Sequence, residues 1–250
     1  MVITAKEIKQ LKDIPNSGYE NIKVEFLFHS NKIEGSTFTR ENLEMYLSKQ
    51  MVEGSHDVGD VYETINSTEL FDFVVHTLDE PLNERLILEF HQMLKMNTLD
   101  YKRGFAGCWK KIPNTILGTG RELQIAQPYE VPDKIKELLL EWENSNKNFD
   151  AVLKFHIDFE KIHPFQDGNG RIGRFIILKQ CIEHEIDLIS IDEKYSKKYK
   201  ESLYIAQTED DYTKIRGIFN FCQELLDERL EFLDNTLDYL RTEQNQMNME

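Results

Sequence analysis

Cysteine is scarce in this sequence: Cys108, Cys181 and Cys222 are the three, far apart and in no CxxC pair. That excludes a disulfide framework and a zinc knuckle, and it fits the reducing environment of the cytoplasm. Long apolar runs are missing as well. No stretch approaches the ~18 apolar residues of a membrane span, and MVITAKEIKQLKDIP at the start holds no apolar core of signal-peptide length, so neither a membrane span nor secretion by that route is expected. There is no basic run, and 30 Lys and Arg against 45 Asp and Glu give a formal net charge of −15. A nucleic-acid partner is therefore not expected, and any polyphosphate would have to bind in a local basic pocket. Without a Ser/Gly-rich linker or an internal repeat, the chain reads as one domain over residues 1–240, with 241–250 a frayed tail. Glycine is also rare, 12 in all, yet three fall within the twelve residues HPFQDGNGRIGR, His163 to Arg174.

Most of the chain carries helical periodicity. Ile135, Leu138, Leu139 and Trp142 recur at i, i+3, i+4 and i+7 behind Pro132 and Asp133; Val152, Phe155, Phe159 and Ile162 repeat the pattern just before the glycine-rich stretch, and Ile172, Phe175 and Ile176 resume it after. The stretch is thus the junction of a helix-loop-helix spanning about residues 151–182. Further helices are expected at Tyr19–Glu34, Arg40–Lys49, Asp60–Thr77, Asn83–Met96 and Lys197–Gln207, with one long helical tail from Tyr212 to about Arg241. The exception is 104–128, where TIL and LQI flank a GTG turn and predict a β-hairpin. The expected fold class is mainly α, a helical bundle with one small hairpin.

Gly168, Asn169 and Gly170 open a helix, where the first amide N–H groups lack intrahelical partners and the helix dipole is positive. Glycines let those amides converge on an anion without a Cβ in the way. Arg171 and Arg174 add bidentate forks for further phosphate oxygens. Asp167 repels a bare phosphate, so a carboxylate here implies a divalent cation, Mg²⁺ with Mn²⁺ as the alternative. His163 has an ordinary pKa near 6.5 and can accept a proton at neutral pH. Base, metal ligand, anion hole and phosphate clamps thus lie within twelve residues, a set suited to attack on a nucleoside polyphosphate. The GxxxxGK[ST] pattern of a P-loop is absent.

These residues resemble the signature HPFx[D/E]GNGRxxR of the Fic domain, with every position filled. The resemblance extends over about Asn83 to Gln207 and implies transfer of AMP from ATP to a Ser, Thr or Tyr hydroxyl of a target protein, with release of pyrophosphate. It would make His163 the base, Asp167 the Mg²⁺ ligand, Gly168, Asn169 and Gly170 the phosphate cradle, Arg171 the β-phosphate ligand and Arg174 the γ-phosphate ligand. The 104–128 hairpin becomes, by the same resemblance, a flap that pairs with an extended target segment through Ile116 and Leu117. Tyr199 is the candidate for the adenine pocket. His91 and His156, among apolar neighbours, read as core histidines rather than ligands.

A second stretch, SNKIEGSTFT, sets Glu34 at the negative end of a helix, where a carboxylate is disfavoured by ~0.3–1 kcal/mol. It resembles the inhibitory motif [S/T]xxxE[G/N] that accompanies many Fic domains, here Ser30, Glu34 and Gly35 on a helix over about 19–35. The resemblance implies that Glu34 pairs with Arg174 and removes the γ-phosphate clamp. Three other readings stay open: removal of AMP from a modified protein with Glu34 orienting water, transfer of another phosphate-containing group, and a non-catalytic binding module. The partners expected are ATP, a target protein, the chain itself through auto-AMPylation, and a second copy in a homo-oligomer.

Overall fold

The computed structural model describes residues 1–15, 17–116 and 123–247. In chain order the helices are α1 (Ala5–Asp13), α2 (Tyr19–Ile33), α3 (Arg40–Lys49), α4 (Val58–His76), α5 (Glu84–Leu94), α6 (Leu99–Lys102), α7 (Val131–Glu143), α8 (Phe149–Ile162), α9 (Asn169–Glu183), α10 (Ser196–Glu209), α11 (Thr213–Leu230) and α12 (Asp234–Met247). Polar caps start several of them. Thr4 and Glu7 form a reciprocal capping box on α1, and the Asn83 and Asn148 side chains accept from the third backbone N–H of α5 and α8. The sequence pattern places α2 to α5 and α7 to α10 within a residue or three of their observed ends, but it gives no sign of α1.

α9 is the axis of the bundle. Thirteen of its fifteen residues are buried, so it is covered on every side, with α8 running along it and α2, α4 and α5 closing around it. Phe175 on its inner face meets Phe26 of α2 at 5.0 Å between ring centroids, and Phe26 in turn meets Phe71 of α4. Replacing a buried phenylalanine such as Phe175 with alanine typically costs ~3–5 kcal/mol. The helix that the glycine-rich sequence opens is therefore held on every side.

Two expectations are not met among the described residues. Among the described residues of 104–128 no strand is present; Leu117 and the GTG turn lie outside the described residues. Two of its described residues bond to the glycine-rich loop: Lys110 N–H donates to Pro164 O at 2.8 Å, and Asn114 Nδ2 donates to Phe165 O at 3.0 Å. The C-terminal segment is also not one helix. It breaks at a 3-10 turn, Glu231–Leu233, and α12 continues to Met247, past the point where fraying was expected. The break lets Leu230, Leu233, Leu237 and Leu240 all stay buried, and Arg241 Nε closes the end onto Glu7 at 2.7 Å. Leu233 packs so tightly over Gly18 that a Cβ there would overlap it.

No described helix is long and apolar enough to cross a membrane.

Candidate active site

α8 stops at Ile162 because His163 adopts a left-handed conformation, φ 51°, and Pro164 cannot continue a helix. The loop then turns back at Gly168, φ 84°, which caps α9. A side chain at Gly168 would press on Lys95 and Leu94, so both the conformation and the space demand glycine there. Asn169 is buried and spends its side chain on the loop itself: Oδ1 accepts from Phe165 N–H at 2.7 Å and Nδ2 donates to Phe165 O at 3.0 Å. Its side chain thus fixes the loop's shape.

His91 of α5 supports the loop from below. Its Nδ1 accepts from Gly107 N–H, its Nε2 donates to Asp167 O, and its ring stacks on Phe165 at 3.8 Å. Burial pushes it down to about 3, which keeps it neutral. It is a satisfied core histidine, as the sequence suggests.

A cavity of about 220 Å³ opens above the loop and brings together His163, Asp167, Gly168, Asn169, Gly170 and Arg174. Ile116, Tyr199 and Glu34 line the same cavity. Burial, reinforced by the Lys110 ammonium, pushes His163 down to about 4, so the imidazole is neutral and free to accept a proton throughout the physiological range. Tyr199 is 2% exposed and hydrogen-bonds to His156 Nε2 at 2.6 Å, so it serves the core as well as the cavity wall. Leu123 and Gln207 connect this cavity to a more open groove of about 690 Å³ bounded by 123–126, α7 and α8.

Arg174 is buried and bound on one side by α2. Its Nε donates to Ser30 Oγ at 2.9 Å, and its Nη2 donates to Ser30 O at 3.0 Å and to Glu34 Oε1 at 2.7 Å. Burial works against the Glu34 charge, yet Arg174, with Arg171 behind it, holds that carboxyl below its ordinary range. Glu34 is the last residue of the helical turn because Gly35, φ 91°, ends α2, and Lys200 Nζ satisfies the Ile33 carbonyl at 2.9 Å. A Cβ at Gly170 would overlap Glu34 Oε1, so the carboxylate rests in the space the glycine leaves free.

Asp167 and Arg171 belong to a network that the sequence does not reveal. The Lys95 ammonium, 1% exposed, pairs with Glu63 and with Asp167 Oδ2; Arg171 pairs with Glu63 and lies 3.6 Å from the same Asp167 oxygen. Against the effect of burial, these two cations hold the Asp167 carboxyl well below the ordinary carboxylate range. Its side chain still keeps 61% of its surface. One ionised carboxylate with an open face suits a cation whose other ligands are phosphate oxygens and water, the usual arrangement for Mg²⁺. Among the described residues the only three-residue cluster with metal-ligand geometry is His29, Asp192 and Glu193, away from this cavity and already engaged by Arg229.

Residues 81–181 match the Fic/DOC family. The chain is 30% identical over 201 residues to a probable protein adenylyltransferase of Aquifex aeolicus, covering 76% of this chain and 59% of that protein. It is 23% identical over 194 residues to protein adenylyltransferase fic-1 of Caenorhabditis elegans, covering 74% and 37%. It therefore spans well under two thirds of the length of these relatives. Among solved structures, a Fic domain containing signaling protein from Bacteroides thetaiotaomicron superimposes with a TM-score of 0.75 at 21% identity, over 90% of this chain and 94% of that one. Fic-1 of C. elegans gives 0.69 at 16% identity, over 93% and 72%. At these identities the likeness shows a shared fold.

Proposed function

Because the chain belongs to the Fic family, we propose that it is an autoinhibited protein adenylyltransferase, which moves AMP from ATP to a Ser, Thr or Tyr hydroxyl of a target protein. The observation that carries the reading is the bond from Arg174 to Glu34 within the cavity that also holds His163 and Asp167. A phosphate clamp held by an internal carboxylate describes both the reaction and its brake.

In this reading the target segment enters along the open groove beside 123–126 and passes Ile116. His163, neutral and half-buried, takes the hydroxyl proton as the oxygen attacks the α-phosphorus. The bond from that phosphorus to the bridging oxygen breaks, and pyrophosphate leaves. The amides of Gly168, Asn169 and Gly170 stabilise the charge that develops on the phosphates, and Arg171 and Arg174 orient the β- and γ-phosphates. Bound at Asp167, Mg²⁺ would neutralise charge on the α- and β-phosphates. Alignment does most of the work, and the loss of one such donor typically costs about 10²- to 10³-fold in rate.

Glu34 keeps the γ-phosphate from Arg174. Holding 99% of molecules inhibited needs about 2.7 kcal/mol, and a buried, multiply hydrogen-bonded guanidinium can supply that where an exposed ion pair could not. A second reading draws on the same contact: a carboxylate sharing a cavity with His163 can orient a water for removal of AMP from a modified protein.

The test is incorporation of label from α-labelled ATP into the purified chain with Mg²⁺. Label should appear with Glu34→Gly and vanish when His163→Ala is added. Silence in every sample would reject AMP transfer.

A further inference from the structure

Glu160 lies one helical turn before His163 on α8, and the transfer reaction as described makes no use of it. It is 6% exposed, it lines the nucleotide cavity, and its Oε1 is buried with no hydrogen-bond partner. It takes part in no ion pair among the described residues. The tip of its side chain rests against Gly173, where a Cβ would stand 2.8 Å from Oε1. The Glu34 carboxylate rests in the same way against Gly170. Residues 170, 173 and 174 share one face of α9, so two carboxyl groups flank Arg174, each in the space left by a glycine. Only Glu34 takes the guanidinium; Arg174 Nη1 is buried and unpartnered.

A second ionised carboxylate here would be a buried charge without a counterion, beside one already ionised, and such a group stays protonated instead. Burial accordingly pushes Glu160 up to about 8. The groups facing it are Arg174 on α9, Glu34 after α2, Tyr199 and Lys200 on α10, His156 on α8 itself and His163 just after it. His156 has its Nε2 committed to Tyr199, and Lys200 has its ammonium committed to Ile33 O.

We propose that Glu160 is an uncharged donor in the terminal-phosphate subsite: once Glu34 withdraws, its carboxylic O–H and the free Nη1 of Arg174 together hold a γ-phosphate oxygen of ATP. The subsite then favours a nucleoside triphosphate over a diphosphate in proportion to the protonation of Glu160. Below the shifted value the carboxyl donates; above it the group becomes an anion facing an anion. The assignment rests on the reading of Arg174 as the γ-phosphate ligand.

The experiment measures equilibrium binding of α,β-methylene-ATP and α,β-methylene-ADP, with Mg²⁺, to the full Glu34→Gly chain from pH 7 to pH 9. Affinity for the triphosphate analogue should fall severalfold over that range as Glu160 loses its proton, while the diphosphate analogue changes little. Adding Glu160→Gln, whose amide donates but cannot ionise, should flatten the triphosphate curve. Adding Glu160→Met, which removes the donor, should flatten it as well and lower the affinity at pH 7 about tenfold. If the Gln variant keeps the same alkaline loss, the assignment of Glu160 is wrong. The functional reading would still stand in that event if Arg174→Ala abolishes the preference for triphosphate. If no variant binds either analogue, both fall together.

Discussion

Glu34 Oε1 lies 2.7 Å from Arg174 Nη2 and fills the space that a side chain at residue 170 would need. The Glu34 carboxylate and α9 are thus fitted to each other through a glycine as well as through charge. Gly170→Ala should destabilise the wild-type chain by forcing Glu34 aside. In a Glu34→Gly background the same change should be neutral or stabilising, because glycine inside a helix costs roughly 0.5–1 kcal/mol relative to alanine. A double-mutant cycle on urea unfolding should give a coupling of about 1 kcal/mol or more. Additive effects would show that the two groups do not meet.

The proposed brake sets the second expectation. Glu34→Gly should raise the initial rate of self-labelling by up to about 10²-fold, the limit set by a state held 99% inhibited. Ser30→Ala removes one of the three bonds from α2 to Arg174 and should give a smaller rise. Equal rates for wild type and Ser30→Ala would leave Glu34 alone as the lock.

α2 is itself anchored from the far end of the chain. Arg229 of α11 pairs with Glu25 of α2 at 3.2 Å and with Asp192, and Arg40 holds the other oxygen of Glu25 at 2.7 Å. Arg229→Ala should loosen α2 without touching the cavity. Hydrogen exchange should quicken in residues 19–33 and stay unchanged in 169–183, with a several-fold rise in self-labelling. Faster exchange in both segments would mean that the bundle has loosened as a whole.

The network under Asp167 predicts a stability effect. Lys95 pairs with Glu63 and Asp167 and lies 3.5 Å from Asp100. Lys95→Met leaves these carboxylates short of a cation, and because they keep 20–61% of their surface the loss should fall below the ~3–5 kcal/mol of a fully buried pair. The urea midpoint should drop with little change in slope. A drop below about 1 kcal/mol would mark the network as solvated and dispensable.

His91 makes stability depend on acid. Its folded-state value of about 3 lies below the ordinary 6.5 because of burial, so the folded chain binds fewer protons than the unfolded one between those limits. The stability it contributes is complete above about pH 6.5 and is lost as pH falls toward 3, at up to about 1.4 kcal/mol per pH unit. Replacing it with Gln should flatten the fall in unfolding free energy between pH 6.5 and 5 by that amount. An unchanged slope would mean that His91 is protonated in the folded state.

What could be read in advance divides along a physical line. His163 to Arg174 is legible because the chemistry is contiguous: each group needs its neighbour in the chain, so the spacing carries the meaning. Ser30 and Glu34 are legible for the same reason, four residues apart on one helix. Lys95, Glu63 and Glu160 come into play through packing, and nothing local marks them; Glu160 is one of 45 acidic residues. The 104–128 segment has the composition of a hairpin, but nothing local marks the bonds that tie Lys110 and Asn114 to the loop after His163. The break at Glu231–Leu233 is invisible because the leucine spacing runs through it unchanged.

Asn169 carries a last consequence. By holding both the N–H and the C=O of Phe165, it closes the loop with atoms that belong to the chain and need no ligand. The conformational freedom of the glycine-rich loop is thus surrendered once, when the protein folds, and not again when a ligand binds. Control of such a site has no disorder to work on within the loop. It has to act through what enters the cavity, and a helix end that carries one carboxylate into it is the simplest device of that kind.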